Sequence, residues 1–451
     1  MTANCEEIGD AMALREVIRE VVAEGMTRPI PPVVPRDVAI PHLAERASVI
    51  KGVRRSGKTF RMFQRMGELV LKGVPRDHML FVDFEDDRLD GVSDNVIGDV
   101  AEEFLRELGT ALPEKLYLFF DEVQNVEGWG RPLRRLTQNP RFEICVSGSS
   151  AKMLSEDVAT EFRGRGISAE LQPFSFREFL RFRAREPKGI VSPDEAREFS
   201  LLFERYLRIG GFPEVQDADV ATRITALQDI VWTIAARDLA ERHRLPMLGT
   251  RKFVQRALRL SGREFSVRKT YNDLHSAQIP LSKADAFSLP EHCEDAYLFF
   301  LVSRFGADLT EATRGKRKLY AIDPGLQFAF GPASSADEGQ RLEDAVYLEL
   351  RRRCLGDRRT GIGFYRTKEG FEVDFAVGDV EERSVSELYQ VAAHAEEATT
   401  FTREARALSA ALDETGLSEG TLLVMSARDV PEPEDVRIRV RDAWRWMLQL
   451  D

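Results

Sequence analysis

The string Gly52-Val-Arg-Arg-Ser-Gly57-Lys58-Thr59 constrains this chain more than any other feature. It follows the short apolar run Ser48–Lys51 and precedes Phe60–Lys72, whose apolar residues recur at helical spacing. A strand, a tight glycine loop and a helix in that order turn backbone N–H groups inward and form a cradle for phosphate. The helix beginning at Lys58 aims its positive end at the same anion. Lys58 supplies a point charge to the β- and γ-phosphates, and the Thr59 hydroxyl is placed to ligate magnesium. The candidate nucleotide-binding residues are therefore Gly52, Arg55, Ser56, Gly57, Lys58, Thr59 and Phe60.

The surrounding pattern fits. Met79–Phe84 and Phe142–Ser147 read as largely apolar strands and Leu116–Phe120 as a continuous apolar one, and Gly98–Leu108 and Arg131–Gln138 between them read as helices. Continuous apolar strands separated by helices predict a parallel sheet covered on both faces. Leu116–Phe120 ends in Asp121-Glu122. Asp121 is placed to hold magnesium through water, and Glu122 to orient and polarise the attacking water. A solvated acidic strand end is the bland alternative, and the nearby P-loop weighs against it. The next strand ends in Ser147-Gly-Ser149-Ser150, where Ser149 is the candidate to reach a γ-phosphate; a serine-rich turn is the alternative. Glu85 lies on the same rim as a weaker candidate. Arg165, and after it Arg163, in the stretch FRGRG are candidates for an arginine finger against surface loop arginines. One strand between the P-loop strand and the Asp-Glu strand fits the additional-strand class of P-loop ATPases.

By these residues the chain resembles the prokaryotic AAA-type ATPases whose P-loop core is fused to a C-terminal domain of unknown function. The matching stretches are GVRRSGKT, FVDFEDDRL, LFFDEVQNVEGWGRPLRRL, SGSSAKMLS, ELQPFSFREFL, GGFPEV, EDAYLFFLVSRF and YRTKEGFEVDF. They run from about residue 48 to about residue 410. The resemblance implies an α/β architecture: an AAA+-like core, a helical lid, a winged helix and a C-terminal restriction-endonuclease-like domain. It implies that Gly57, Lys58, Thr59, Asp121 and Glu122 keep the roles given above. The expected division is an N-terminal helical and extended segment (1–47), the ATPase core (48–185), the lid (186–249), the winged helix (250–335) and the nuclease-like domain (336–451).

A nuclease of that last type needs an acid on a helix, an Asp on a strand and E-x-K on the next strand, to bind magnesium and position water. Here Glu343 lies on the opening helix, Asp374 in FEVDF, and the next strand reads Glu387-Leu-Tyr-Gln390-Val-Ala392. Strand alternation puts Gln390 in the second acidic slot and Ala392 in the lysine slot. Lys368, in the loop before the Asp strand, is the substitute lysine to consider. The expectation is a retained fold without cleavage. In the winged-helix region, Ser266–Leu274 followed by a helix from Ser282 carries modest basic content in Arg263, Arg268, Lys269 and Lys283. Packing or protein contact is expected there ahead of sequence-specific DNA reading.

Bulk properties set outer bounds. A net charge of −11 argues against a wholesale nucleic-acid coat, although a local basic face stays open. No apolar run approaches the roughly 20 residues a membrane helix needs, and no signal peptide is visible. Four cysteines stand apart and form no CxxC pair, and six histidines form no paired motif. The reading is a cytoplasmic enzyme that binds ATP and Mg2+ and hydrolyses ATP to move its lid, winged-helix and C-terminal parts. An ATP-gated nuclease and a non-hydrolysing ATP-switched scaffold are the rivals. Self-association, a protein partner and nucleic acid all remain open as partners.

Overall fold

A computed structural model describes residues 2–89, 93, 95–110, 112–149, 166–331, 338–428 and 430–450. The chain forms two compact units, Met1–Leu171 and Gln172–Asp451.

The first unit holds α1 (Thr2–Thr27), β1 (Ala47–Lys51), α2 (Lys58–Leu71), β2 (Met79–Asp83), α3 (Val96–Leu108), β3 (Leu116–Asp121), α4 (Gly130–Thr137), β4 (Phe142–Gly148) and β5 (Gly166–Glu170). The five strands form one sheet in the order β2-β3-β4-β1-β5, and all neighbours are parallel. Along the chain β2 comes between the P-loop strand and the Asp-Glu strand; in space that place belongs to β4. Strand alternation sorts the core into two layers. Leu80, Val82, Leu118, Phe120, Ile144 and Val146 face α1, α3 and α4, where Val22, Val100, Phe104 and Leu133 are buried. Met79, Phe81, Phe119 and Cys145 face the α2 side chains Met62, Phe63, Met66 and Leu69. The proline-rich stretch after α1 lies in no helix or strand and runs along α2. Arg36 N–H donates to Gln64 Oε1 at 2.8 Å, and the Arg61 guanidinium to Val38 O at 3.0 Å. Helix α1 runs past both ends of the Ala11–Ala23 stretch expected from sequence. Strand β5 was not foreseen. Its residues GISAE are half polar, and it is recruited by pairing with β1 rather than by its own burial.

The second unit opens with four helices, α5 (Phe176–Phe182), α6 (Pro193–Ile209), α7 (Val220–Thr233) and α8 (Met247–Leu258). Ser175 and Ser192 close α5 and α6 with full capping boxes. Helix α7 continues directly into a π-helix at Ile234–Glu241. Next come β6 (Arg263–Phe265), α9 (Val267–Ser276), α10 (Lys283–Asp295), β7 (Phe299–Val302), α11 (Leu309–Arg314), β8 (Arg317–Ala321) and α12 (Pro324–Phe330). The strands make an antiparallel sheet in the order β6-β8-β7. The unit closes with α13 (Glu338–Cys354), β9 (Thr360–Arg366), β10 (Glu372–Asp379), β11 (Ser384–Ala392), α14 (Ala398–Thr415), β12 (Gly420–Val424), β13 (Ile438–Asp442) and α15 (Ala443–Met447). Their sheet runs β13-β12-β11-β10-β9; β9 to β11 are antiparallel, and β11 to β13 parallel.

Two joints tie this unit together. The segment after β7 lies along the edge strand β9: Phe305 N–H donates to Phe364 O at 2.8 Å, and Phe364 N–H to Ser303 O at 3.2 Å. An edge that would otherwise offer unpaired backbone groups is thereby covered. The second joint explains GGFPEV. The buried Asp323 carboxylate caps α12 and accepts from Gly211 N–H at 2.5 Å and Gly325 N–H at 2.8 Å. Gly210 sits at φ 77 and ψ −172, and a Cβ there would fall 1.8 Å from Asp323 Oδ1. Gly210→Ala is expected to cost about 2–3 kcal/mol, as backbone strain and loss of the Asp323 contacts combine. Urea unfolding monitored by circular dichroism checks this, and an unchanged midpoint would count against it.

Candidate functional site

Loop 52–57 leaves β1 and enters α2 with Arg55 at φ 65 and Gly57 at φ 96. Positive φ values on both sides of Ser56 turn successive N–H groups to one side, the geometry of an anion nest. Gly52 is required by space: a Cβ would fall 2.1 Å from Leu171 O, just beyond β5. Arg36 braces the loop from outside through its NH1, 2.8 Å from Ser56 O. Ser56 Oγ is fully buried and has no hydrogen-bond partner among the described residues. An orphaned hydroxyl costs roughly 1–3 kcal/mol, so its retention fits a loop built for a further acceptor.

Sheet register then brings the two acids to this loop. β3 ends beside β4, and its last residues meet the first turn of α2. Thr59 Oγ1 donates to Asp121 Oδ2 at 2.5 Å, and Ser147 Oγ donates to Asp121 Oδ1. Lys58 Nζ lies 3.1 Å from Glu122 Oε1 and donates to Gly52 O and Val53 O, each at 3.3 Å. Burial, reinforced by the Glu122 charge, pushes the Asp121 carboxyl above its usual range. Burial acts the same way on Glu122, but Lys58 and the Gln124 amide outweigh it and hold that carboxyl below its usual range. Glu122 therefore stays ionised while its neighbour resists ionisation. Among the described residues Asp121 has no cationic partner, and hydroxyl oxygens surround it. That donor set suits magnesium, which commonly takes one or two protein carboxylates beside phosphate oxygens.

Ser149 accepts from Gln124 Nε2 at 3.3 Å. Ser147, grouped with it in the serine turn, is the residue that touches Asp121 and accepts from Glu122 N–H at 3.0 Å. Glu85 reaches the loop through Arg54, 3.0 Å away. Phe60 is 53% exposed beside the loop, edge-on to Phe63. Arg163, Arg165 and Ser150 lie outside the described residues. Sequence reasoning missed Gln124; its signal was its place two residues after Glu122, inside the turn that closes β3.

A second cluster of buried charge lies in the second unit. Asp374 and Gln390 meet as expected: Asp374 N–H donates to Gln390 Oε1 at 3.1 Å, and Val391 N–H donates to Asp374 Oδ2 at 3.0 Å. The cation, however, is not Lys368, which is exposed in its loop. Lys318 of β8 supplies it. Its Nζ lies 2.8 Å from Asp374, 3.0 Å from Glu343 and 3.2 Å from Glu372. Tyr320 OH donates to Glu343 Oε1 at 2.7 Å. The Lys318 side chain is 13% exposed. Burial alone would discharge it, but the Asp374 and Glu343 carboxylates prevail and hold the ammonium far above its usual range. Glu343 is raised by its burial and by Asp374, against Lys318 and Tyr320. Sequence spacing offered no sign of Lys318, because strand β8 belongs to a different sheet. Ala392 is buried and packs in the apolar core of the final sheet.

With this geometry in hand, the relatives can be placed. A model described as an AAA domain matches residues 44–180, and a domain of unknown function (DUF8612) matches residues 200–336. Uncharacterized protein MJ1544 of Methanocaldococcus jannaschii is 31% identical over 426 residues, spanning 92% of this chain and 91% of that protein. The chain belongs to this family of AAA-domain proteins. An uncharacterized Haemophilus influenzae protein is 30% identical over 311 residues, 68% of this chain and 74% of its own. Family membership places the first unit among AAA-type P-loop ATPases. Among solved structures, the Aeropyrum pernix ORC2 protein in its ADPNP-ADP complexes is 14% identical with a TM-score of 0.35, over 77% of this chain and 94% of its own. The Aeropyrum pernix ORC1 protein in complex with DNA is 15% identical with a TM-score of 0.31, over 71% and 91% respectively. Both likenesses are too loose to assign a detail. Among the described residues no helix is long and apolar enough to cross a membrane.

Proposed function

We propose that this chain binds ATP with magnesium at Gly52–Thr59, hydrolyses it, and uses the cycle to change the conformation of its second unit. The observation that carries this reading is the meeting of Lys58 and Thr59 with Glu122 and Asp121, at 3.1 and 2.5 Å. The N–H groups of the loop and Lys58 bind phosphate, and the orphaned Ser56 hydroxyl adds a donor. Thr59 and Asp121 would hold Mg2+, which when bound supplies positive charge to the phosphate oxygens. Glu122, kept ionised, accepts the proton of the attacking water. Ser149 serves as a donor to the γ-phosphate from the tip of β4. Arg165, or after it Arg163, is the arginine-finger candidate of this reading. Phe60 and Arg55 border the nucleotide.

Within the second unit, residues 186–249 are read as lid, 250–335 as winged-helix-like module and 336–451 as nuclease-like module without cleavage. Two features support this. The segment after β7 is engaged with β9, which favours packing over DNA reading. The acids Glu343 and Asp374 are already neutralised by Lys318. A protein partner or a second copy of the chain fits this reading better than a nucleic acid.

Paired thermal-shift and phosphate-release assays test the proposal. The unsubstituted chain should gain stability with MgATP, by about 2.7 kcal/mol at a hundredfold excess over Kd, and release phosphate. Lys58→Ala should show neither effect. ATP-dependent stabilisation without phosphate release would point instead to a non-hydrolysing switch.

A further inference from the structure

Gln124 has a place in the site that the residues above do not account for. It stands in the short turn Val123–Asn125, and Glu122 enters that turn at φ 48. The reversal sets the two side chains against each other. Gln124 Nε2 donates to Glu122 Oε2 and to Ser149 Oγ, the latter at 3.3 Å. The amide orientation is dictated chemically, since a carbonyl oxygen there would face a carboxylate oxygen. Gln124 Oε1 is buried and has no partner among the described residues.

Lys58 cannot serve two anions equally. Its Nζ is now 3.1 Å from Glu122 Oε1, yet phosphate in the loop draws on the same ammonium. As Lys58 turns to phosphate, Gln124 still donates to Glu122 through its side-chain amide. We infer that Gln124 is the positioning residue for the general base: it fixes the Glu122 carboxylate, with Ser149 at the far end of the link, while Lys58 serves phosphate. The unpaired Oε1 leaves an acceptor beside the base for the water that Glu122 deprotonates. This inference rests on the ATPase reading and adds a role to it.

The test is steady-state phosphate release by Gln124→Ala from pH 5 to 9, beside titration with a fluorescent ATP analogue. A lost hydrogen bond to a charged group should lower kcat roughly ten- to a hundredfold and leave KM and analogue affinity unchanged. The acid limb of the kcat profile should move to higher pH, because the lost donor favoured the ionised carboxylate. Gln124→Met keeps the bulk without the donor, and takes the place of the alanine variant if that one does not fold. Unchanged kcat and acid limb, or a loss confined to KM, overturns the inference. Absence of turnover in the unsubstituted chain defeats the ATPase reading and the inference with it; normal turnover in Gln124→Ala defeats the inference alone.

Discussion

Glu122→Gln is expected to bind ATP as tightly as the unsubstituted chain and to release phosphate about 10²–10⁴-fold more slowly. The amide keeps the shape of the side chain and an oxygen for Lys58 but cannot take a proton. Removing the charge also weakens the hold on Lys58, whose Nζ lies 3.1 Å from Glu122, so phosphate gains a less occupied partner. Binding should therefore survive while the chemical step fails. Phosphate release with nucleotide titration separates the two. Turnover at the normal rate would remove Glu122 from the mechanism.

Lys318→Ala is expected to destabilise the second unit by about 3–5 kcal/mol, the usual cost of stranding buried partners of a lost charge. Its Nζ is shared by Asp374, Glu343 and Glu372 within 3.2 Å. Lys318→Met should lose nearly as much despite keeping the apolar stem, because the cost lies in the carboxylates. The sign with pH follows. Burial and the Asp374 charge already hold the Glu343 carboxyl above its usual range, against Lys318, so without the ammonium it is pushed further up. Its contribution to stability is then present below the unfolded carboxylate range and lost as pH climbs through the raised value. The defect should be larger at pH 8 than at pH 5. Thermal unfolding at both pH values checks this, and an equal loss at both would separate Lys318 from the acids.

These two sites were not equally legible. Lys58, Thr59, Asp121 and Glu122 could be read because each belongs to a local string, and a parallel sheet carries local strings to one rim. Gln124 was visible as a letter but not as a neighbour, since the φ of Glu122 decides which way the turn faces. Lys318 could not be read at all: its partners lie 25 to 56 residues away on other elements, and pairing across two sheets leaves no periodic mark. Strand β5 escaped because its pairing with β1, rather than its composition, makes it a strand. Gly210-Gly211 both ends α6 and seats Asp323, and only the structure shows the second role.

The strip of chain laid along β9 bears on how the protein can be taken apart. A fragment starting at residue 336 would lose Ser303 and Phe305, and with them the backbone partners of Phe364. It would also lose Lys318, leaving Glu343 and Asp374 without their counter-charge. Such a piece would carry a raw β-edge, open to pairing with other copies, above an uncompensated acidic pocket. The final sheet is thus not portable. In this chain the final sheet and the small sheet before it form one structural piece.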